Sequence, residues 1–431
     1  MLNTCFPLQS RPSLSVSYAC ESTSCEPVRL SALSFSAWSR GDLTEAIRWA
    51  ATSSETHPTY DGNCLGMAKV WYSTLLVRIR EPASAARVLD SVEEVRTGIE
   101  GTGELVAASL ICAADLAFTQ GDVDTAVELA GKGVHQAREA GLNCLLPAAH
   151  TVMALSALRQ GNMSVSLDFA NQLRDDALLG NTLHGPSQCA WAAAQLQEVQ
   201  GGAVSAAHLV AGIIRDDQLV LELLASQPAA ASWLVRAAKD LDEEPLAKRV
   251  VDEASGLAAR NRGLRSLEAA AAHADGLLEE NPQKLIVAAE SHLDLWAGAS
   301  AYEDAGKLLS APHHERDRAV EVLERAVDGY SSSAAPRDAR RVVSRLRSLG
   351  VRRGRYPQYA THSVNVDSLT NTEAAVAELV SHGFTNSQVG ERLFISGHTV
   401  AFHLKKIFRK MNVASRVELT RTWSRVSSGE Y

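Results

Sequence analysis

The chain has 431 residues, too many for one ordinary domain, and 46% of them are hydrophobic, which is enough for a sizeable core. Its net charge of −8 is unevenly spread: residues 337–431 carry 16 Lys and Arg against seven Asp and Glu, and residues 1–336 carry 26 against 43. The basic end favours nucleic acid as a partner or a solvated face, and the lack of any apolar run of roughly 18 residues excludes a membrane-spanning protein.

Residues 1–28 precede the first predicted helix. They are rich in Ser, Cys and Pro without a helical period, which predicts either a disordered leader or a poorly chosen start site. Arg11 and Pro12 interrupt the apolar run that a signal peptide would need. We therefore expect a cytoplasmic protein.

A repeat of about 40 residues runs through residues 29–350, where Ala is abundant and aromatic residues are few. Its turns carry glycines spaced in multiples of 40, namely Gly41, Gly121, Gly161 and Gly201. Five residues after each glycine comes a small residue, Ala46, Ala126, Ser166 or Ala206. Eight residues after it comes a large one, Trp49, Leu129, Phe169 or Leu209. The member near residue 81 has Pro82, Ala86 and Leu89 instead.

This spacing predicts pairs of helices joined by tight turns. The small residue would let the two helices approach closely, and the large one would fill the space between them. One pair cannot bury its apolar face alone, so neighbouring pairs should stack into a solenoid with a concave surface for a protein, peptide or small ligand. The unit resembles a tetratricopeptide repeat lengthened to about 40 residues, and an irregular α-helical bundle is the alternative.

The repeat region should close with an amphipathic helix within residues 335–355. Its apolar stripe contains Val342, Leu346 and Leu349, and Gly350 should end it. Residues 351–368 show no period and are predicted to be a linker.

Residues 369–431 predict four short helices, so the whole chain is expected to be all-α. Their predicted N-caps are Thr370, Thr385 or Asn386, Ser396 and Ser415. Only residues 394 and 395 separate the second helix from the cap of the third, which is typical of a helix-turn-helix. In the third helix, residues 397–411, an apolar stripe of Val400, Leu404, Ile407 and Met411 should face inward. The outward residues are Gly397, His398, Ala401, Phe402, Lys405, Lys406, Arg409 and Lys410, four of them cationic and none acidic.

This segment resembles the LuxR/GerE-type DNA-binding domain. The residues that carry the resemblance are Leu369, Thr370, Glu373, Gly383, Thr385, Asn386, Val389, Gly390, Leu393, Ser396, Thr399, Val400, His403, Ile407, Lys410 and Met411. The resemblance covers about 15% of the chain and implies a transcription regulator, more often an activator than a repressor. Helical repeats ahead of such a domain are similar to the back half of large ATP-binding regulators of the maltose-activator kind.

The resemblance also implies which residues contact DNA. Thr399, Lys406 and Lys410 would bind phosphates, Val400, Ala401 and Lys405 would face base edges, and His403 would brace the helix or reach a phosphate. Arg409 would contact DNA or be solvated, and the fourth helix, through Leu419 and Trp423, would pair two copies on a symmetric site. The expected partners are double-stranded DNA, a second copy of the chain, RNA polymerase, and an unknown protein or small-molecule effector at the repeats.

Two positions depart from the family pattern. Thr372 stands where the family usually has Arg, and Ala401 where it often has Lys. Losing a cation should weaken general DNA affinity, and the methyl group of Ala401 could favour a thymine methyl. These departures support an alternative function, an interaction scaffold whose helix-turn-helix is degenerate.

Enzymatic functions find little support in the sequence. It contains no G-x-x-x-x-G-K-[ST] phosphate-binding loop, no metal-ligand spacing, no catalytic triad spacing and no receiver-type phosphoacceptor pattern. We therefore expect no cofactor, and we expect a short form or fragment of the ATP-binding regulators in which ATP-dependent switching is missing.

Overall fold

A computed structural model of the chain describes residues 25–55, 61–96, 103–178, 185–311, 315–351, 371–393 and 397–410, together with residues 416, 419, 420 and 423. These residues divide into two compact units, Met1–Val351 and Arg352–Tyr431. The described elements are helices, which confirms the all-α expectation. The predicted linker and most of the predicted leader lie outside the described residues.

The described part of the first unit contains eighteen α-helices. They are α1 Glu26–Ser39, α2 Leu43–Ser53, α3 Gly62–Arg78, α4 Pro82–Arg96, α5 Gly103–Thr119, α6 Val123–Glu139, α7 Leu146–Gln160, α8 Met163–Leu178, α9 Pro186–Gly201, α10 Ala203–Arg215, α11 Asp217–Ser226, α12 Ala230–Asp240, α13 Glu244–Arg260, α14 Arg265–Leu278, α15 Pro282–Ser291, α16 Leu295–Leu309, α17 Arg316–Ser332 and α18 Pro336–Ser348. From α1 to α10, each odd-numbered helix packs against the even-numbered helix that follows it. The same pairing recurs in α12–α13, α14–α15 and α16–α17, as the repeat predicted.

The turn inside each pair from α1–α2 to α14–α15 has a residue with a positive φ angle. Its spacing follows the predicted period, at Gly41, Arg80, Gly121, Gly161, Gly202, Asp242 and Glu280. At Gly41 and Gly121 the backbone closes the preceding helix with the paired hydrogen bonds of a Schellman motif. Gly201 was predicted to make its turn, but it is the last residue of α9, and Gly202 is the left-handed one.

Small residues five positions after the turns are buried, which explains the close approach within pairs. Ala46, Ala126, Ser166 and Ala206 have almost no exposed surface. The large residues at plus eight are half-buried, and Leu129, Phe169 and Leu209 pack against the core as predicted. The residue at plus nine is buried more completely, as Ala50, Ala130 and Val210 are. The residues five and nine positions after a turn lie four residues apart, on one face of the helix, so both side chains point at the partner helix.

The later helices of the first unit pack against the turns of the earlier ones. The buried amide of Asn261, after α13, donates to the Gly41 carbonyl at 2.8 Å and accepts from the Thr44 backbone N–H at 3.1 Å. Arg80 is likewise buried in an ion pair with Asp294, with 3.1 Å between Nε and Oδ2. Helix α18 contacts α7. The array is therefore wound back on itself.

Three described helices form the second unit, α19 Asn371–Ser381, α20 Asn386–Leu393 and α21 Gly397–Lys410. Residues 416, 419, 420 and 423 are also helical, within the predicted fourth helix. Among the described helices of both units, none combines the length and apolarity needed to cross a bilayer.

Candidate nucleic-acid interface

The inward face of α21 is fixed by a small apolar core. Val400, Leu404 and Ile407 are buried at the predicted 4-3 spacing. They pack with residues of α19, α20 and the fourth helical segment, namely Val376, Ala377, Val380, Val389, Leu419 and Trp423. Because this stripe is held on one side, the opposite side of α21 must face away from the core.

Local interactions fix the ends of the helices around α21 and join the fourth helical segment to α20. Helix α19 ends at Ser381, and Gly383, with a φ of 89°, is the left-handed stop after it that the sequence predicted. Thr385 and Gln388 cap α20 reciprocally: the Thr385 N–H donates to Oε1 of Gln388 at 2.9 Å, and the Gln388 N–H donates to Oγ1 of Thr385 at 3.4 Å. Arg416 donates to Oδ1 of Asn386 at 3.1 Å and to the Phe384 carbonyl, which ties the fourth segment to the start of α20.

The outward face of α21 joins a cation to an aromatic ring. Lys405 is exposed, and Phe402 keeps 45% of its surface accessible. The Lys406 ammonium lies 4.7 Å from the centroid of the Phe402 ring, within cation–π range. This face is suited to an anionic polymer whose surface also offers apolar edges.

Two other residues that were predicted to contact DNA have side-chain atoms directed into the second unit. The Lys410 ammonium donates to Oε2 of buried Glu373 at 2.7 Å, so it joins the end of α21 to the start of α19. The Nδ1 atom of His403 is buried and has no hydrogen-bond partner among the described residues. Thr399 and Ala401 are half-buried.

Burial contradicts two roles drawn from the family resemblance. Val400 was expected to face base edges, but it is completely buried in the apolar core. Leu419 and Trp423 were expected to pair two copies, but they are buried in the same core and cannot also form a surface. The side chains of His398 and Arg409, the caps at Thr370, Ser396 and Ser415, and Met411 lie outside the described residues.

The order of these helices, the capped α20 and the outward cations of α21 match a known domain type. The family described as "Bacterial regulatory proteins, luxR family" matches residues 367–423. Residues 367–423 are a LuxR-family DNA-binding domain. Its match ends at Trp423, the last described residue of the core.

Relatives of the LuxR-family domain are found among bacterial regulators. A nitrate/nitrite response regulator protein homolog of Haemophilus influenzae is 44% identical over 61 residues, which are 14% of this chain and 29% of that protein. The nitrate/nitrite response regulator NarL of Escherichia coli K12 is 30% identical over 122 residues, 26% of this chain and 56% of that protein. MalT of Vibrio cholerae is 34% identical over 59 residues, 14% of this chain and 6% of its own length. The chain thus spans less than two thirds of the length of each of these relatives.

A solved structure also aligns with much of the chain. It is a Rap protein complexed with competence and sporulation factor, at 11% identity and a TM-score of 0.42, covering 76% of this chain and 98% of that one. The apo quorum sensor NprR of B. thuringiensis aligns with a TM-score of 0.34 and 12% identity, covering 75% of this chain and 98% of that chain.

Sequence reasoning placed Phe402 on the outward face but left it out of the DNA-contacting set. The signal was available, since Phe402 lies two residues from the inward Val400 and from the inward Leu404, and a large apolar side chain off that stripe is unusual on a solvated basic face. Arg416 was missed because it acts on residues about 30 positions away, with no local pattern to mark it.

Proposed function

We propose that the protein is a cytoplasmic transcription regulator that binds duplex DNA through the outward face of α21. The observation that carries the proposal is the exposed Lys405 beside the Phe402–Lys406 pair, on a helix that contains no acidic residue. The buried stripe on the opposite side gives that face one fixed orientation, as entry into a major groove requires. The LuxR-family match supports the same function.

The contacts divide by position along α21. We assign Lys405 and Ala401 to base edges, and Thr399, Lys406 and Arg409 to phosphates, with Val400 removed from the set because it is buried. Lys410 reaches phosphate only if it exchanges its bond to Glu373, so we assign it a smaller share. His403 braces the helix or reaches a phosphate.

The remaining expectations extend this proposal. The protein would act as an activator that contacts RNA polymerase, with two copies on an inverted repeat, paired through surfaces other than Leu419 and Trp423. The repeat domain would bind a protein or small-molecule effector, and the chain would need no cofactor and carry out no catalytic step.

The salt dependence of DNA binding tests the proposal. The full chain is titrated into a fluorescent 30-bp duplex of mixed sequence, and anisotropy is followed between 50 and 200 mM salt. Affinity should fall steeply, and the double variant Lys405→Ala, Lys406→Ala should reduce the slope of log affinity against log salt by roughly one to two. Lys132→Ala, which removes an exposed cation from α6 of the repeat region, should leave the slope unchanged.

A failure of this test has a definite meaning. If the full chain does not bind the duplex or fragmented genomic DNA at 50 mM salt, the proposal is wrong and the scaffold function with a degenerate helix-turn-helix takes its place. Equal slopes for the double variant and for Lys132→Ala would show that α21 is not the DNA-binding element.

A further inference from the structure

A cavity of about 390 Å³ lies within the first unit, on the inner side of the repeat array. Helices α5, α7 and α9 line one side, and α12 with α16–α18 line the other. The volume lies in the range of small-molecule sites. Nothing in the DNA-binding proposal uses this cavity.

Aromatic side chains make up much of the cavity wall. They are Phe118, Trp191, Trp233, Trp296 and Tyr330. The whole chain has only 23 such residues, eight Phe, seven Trp and eight Tyr. Two of these rings are fixed by hydrogen bonds from their indole N–H groups, Trp233 to Glu198 at 2.9 Å and Trp296 to Asp338 at 3.0 Å. A concentration of oriented rings favours a flat apolar ligand.

Two buried carboxylates of the wall, Glu303 and Asp304, are committed to cationic protein partners. Glu303 accepts from Arg341 and from the Tyr330 hydroxyl, whose O–H lies 2.9 Å from it. Asp304 accepts from Arg236 and lies 3.0 Å from His273. Burial alone would raise the pKa of Asp304, but the charge of Arg236 and the hydrogen bond to His273 hold it well below its ordinary value. These groups form a rigid ionised wall with little capacity for a cationic ligand.

Arg159 differs from the other cations of the wall. Its guanidinium lies 3.9 Å from the centroid of Phe118 and 4.9 Å from that of Trp296, between the two rings. Its one hydrogen bond among the described residues is a long one, 3.5 Å to the Phe118 carbonyl, and no carboxylate lies within ion-pair distance of it there. The two acids whose charges act most on Arg159 are engaged elsewhere, Asp294 with Arg80 and Asp338 with Arg341.

Two further donors of the wall lack partners. The Nε1–H of Trp191 and the Nε2 amide of Gln195 are buried and have no hydrogen-bond partner among the described residues. They lie one turn apart on α9, on the same helix face, and both line the cavity. A buried donor without an acceptor costs free energy, which a bound acceptor would recover.

We propose that this cavity binds a small aromatic carboxylate. The carboxylate would take the fork of Arg159, and the ring would lie among the tryptophans. The donor nitrogens of Trp191 and Gln195 have almost no accessible surface, so each would reach an acceptor of the ligand by turning its side chain toward the cavity. The two buried side-chain nitrogens of the wall without a partner among the described residues are both donors, which favours an acceptor-rich ligand. A cation would face Arg159 and would find Glu303 and Asp304 already paired with cations.

Isothermal titration calorimetry of the full chain with three ligands of equal shape tests the proposal. The ligands are 2-naphthylacetate, its neutral amide and 2-(2-naphthyl)ethylamine. The acid should bind, the amide should bind at least tenfold more weakly, and the amine should give no saturable heat. The proposal is overturned if none of the three binds at millimolar concentration, or if the amide or amine binds as well as the acid.

Variants of the lining residues test whether the acid binds in this cavity. Arg159→Met should lower the affinity for the acid at least tenfold and bring the acid-to-amide ratio close to one, which a purely structural effect would not do. Trp191→Phe keeps the ring and removes only the N–H, so the affinity should fall about two- to tenfold. The matched controls Arg48→Met and Trp49→Phe alter a cation–π pair on α2 that does not line the cavity, and they should bind the acid like the unaltered chain. Unchanged affinity and ratio in Arg159→Met would exclude this site. The outcome is independent of whether the chain binds DNA.

Discussion

The ammonium of Lys410 and the buried carboxylate of Glu373 lie 2.7 Å apart and join the end of α21 to the start of α19. Glu373→Ala removes the acceptor and leaves an apolar methyl in its place. We expect faster amide hydrogen exchange in α19 and α21, from a loss of about 1–2 kcal/mol, because the pair is partly exposed on the lysine side. Glu378→Ala, at an exposed carboxylate of the same helix, is the control and should exchange at the original rate.

Phe402 should contribute to DNA binding and not to stability. Phe402→Ala removes an exposed ring and the support of the Lys406 ammonium, so affinity for the duplex should fall about fivefold, on the order of 1 kcal/mol. The thermal midpoint should be unchanged, since the ring is outside the core. Phe402→Tyr keeps the ring and should bind nearly as well; equal losses in both variants would contradict a role for the ring itself.

Asn261 should hold the first helix pair against the later helices. Asn261→Ala leaves the Gly41 carbonyl and the Thr44 N–H without their partner, at a cost of about 2 kcal/mol. Urea denaturation should detect the loss, and hydrogen exchange should locate it in α1 and α2. Asn143→Ala, at an exposed side chain, should change neither measurement.

Two glycines in helices should respond to Ala in opposite directions. A Cβ on Gly306 of α16 would lie 2.6 Å from Cγ of Leu323, which is fully buried, so Gly306→Ala should destabilise the first unit by about 1–3 kcal/mol. A Cβ on Gly256 of α13 meets no atom within 4 Å, and Gly256→Ala should stabilise it by about 0.5–1 kcal/mol through helix propensity. Thermal midpoints that shift in the same direction would contradict this packing.

The His273–His292 pair should make stability depend on pH. Burial lowers the pKa of His292 to about 3, with a further contribution from His273, whose own pKa burial also lowers. Unfolding lets His292 bind a proton below its ordinary pKa of about 6.5, so stability is full above that pH and falls as the pH drops toward 3. For His292 alone we expect a loss of about 2 kcal/mol between pH 7.5 and 5.

Urea midpoints at pH 7.5 and 5 measure this loss. In His292→Asn the shift between the two pH values should be smaller than in the unaltered chain. The charged groups that act on the pair are Asp304, Asp294, Arg236 and Arg80. The pKa values of Asp304 and Asp294 lie below their ordinary values because of neighbouring cations, so both carboxylates stay ionised between pH 5 and 7.5. An equal shift in both proteins would assign the pH dependence to other residues.

The sequence predicted what depends on local periodicity. Helix pairs, the buried small residues such as Ala46, and the inward stripe of Val400, Leu404 and Ile407 all follow from spacing along one helix. The spacing correctly placed Val400 on the inward face of α21. The wrong expectation, contact with base edges, came from the family resemblance. The residues eight and nine positions after a turn are neighbours on the helix. Deciding which of the two is more deeply buried therefore requires the position of the partner helix.

What the sequence could not predict are contacts between distant segments. Asn261 meets Gly41 across 220 residues, and Arg80 meets Asp294 across 214, with no local pattern at either end. The cavity has the same origin, because Arg159 and Trp296 become neighbours only when the array folds back.

The returning path of the array constrains how such a protein can evolve. In an open chain of repeats, recombination can delete or duplicate a unit and leave each remaining interface intact. Here a deletion between Gly41 and Asn261 would bring the wrong later helix to each earlier turn, so Arg80 would lose Asp294 and be buried as an unpaired charge. Homologues with this path should therefore differ by substitutions and loop insertions while keeping the number of helix pairs.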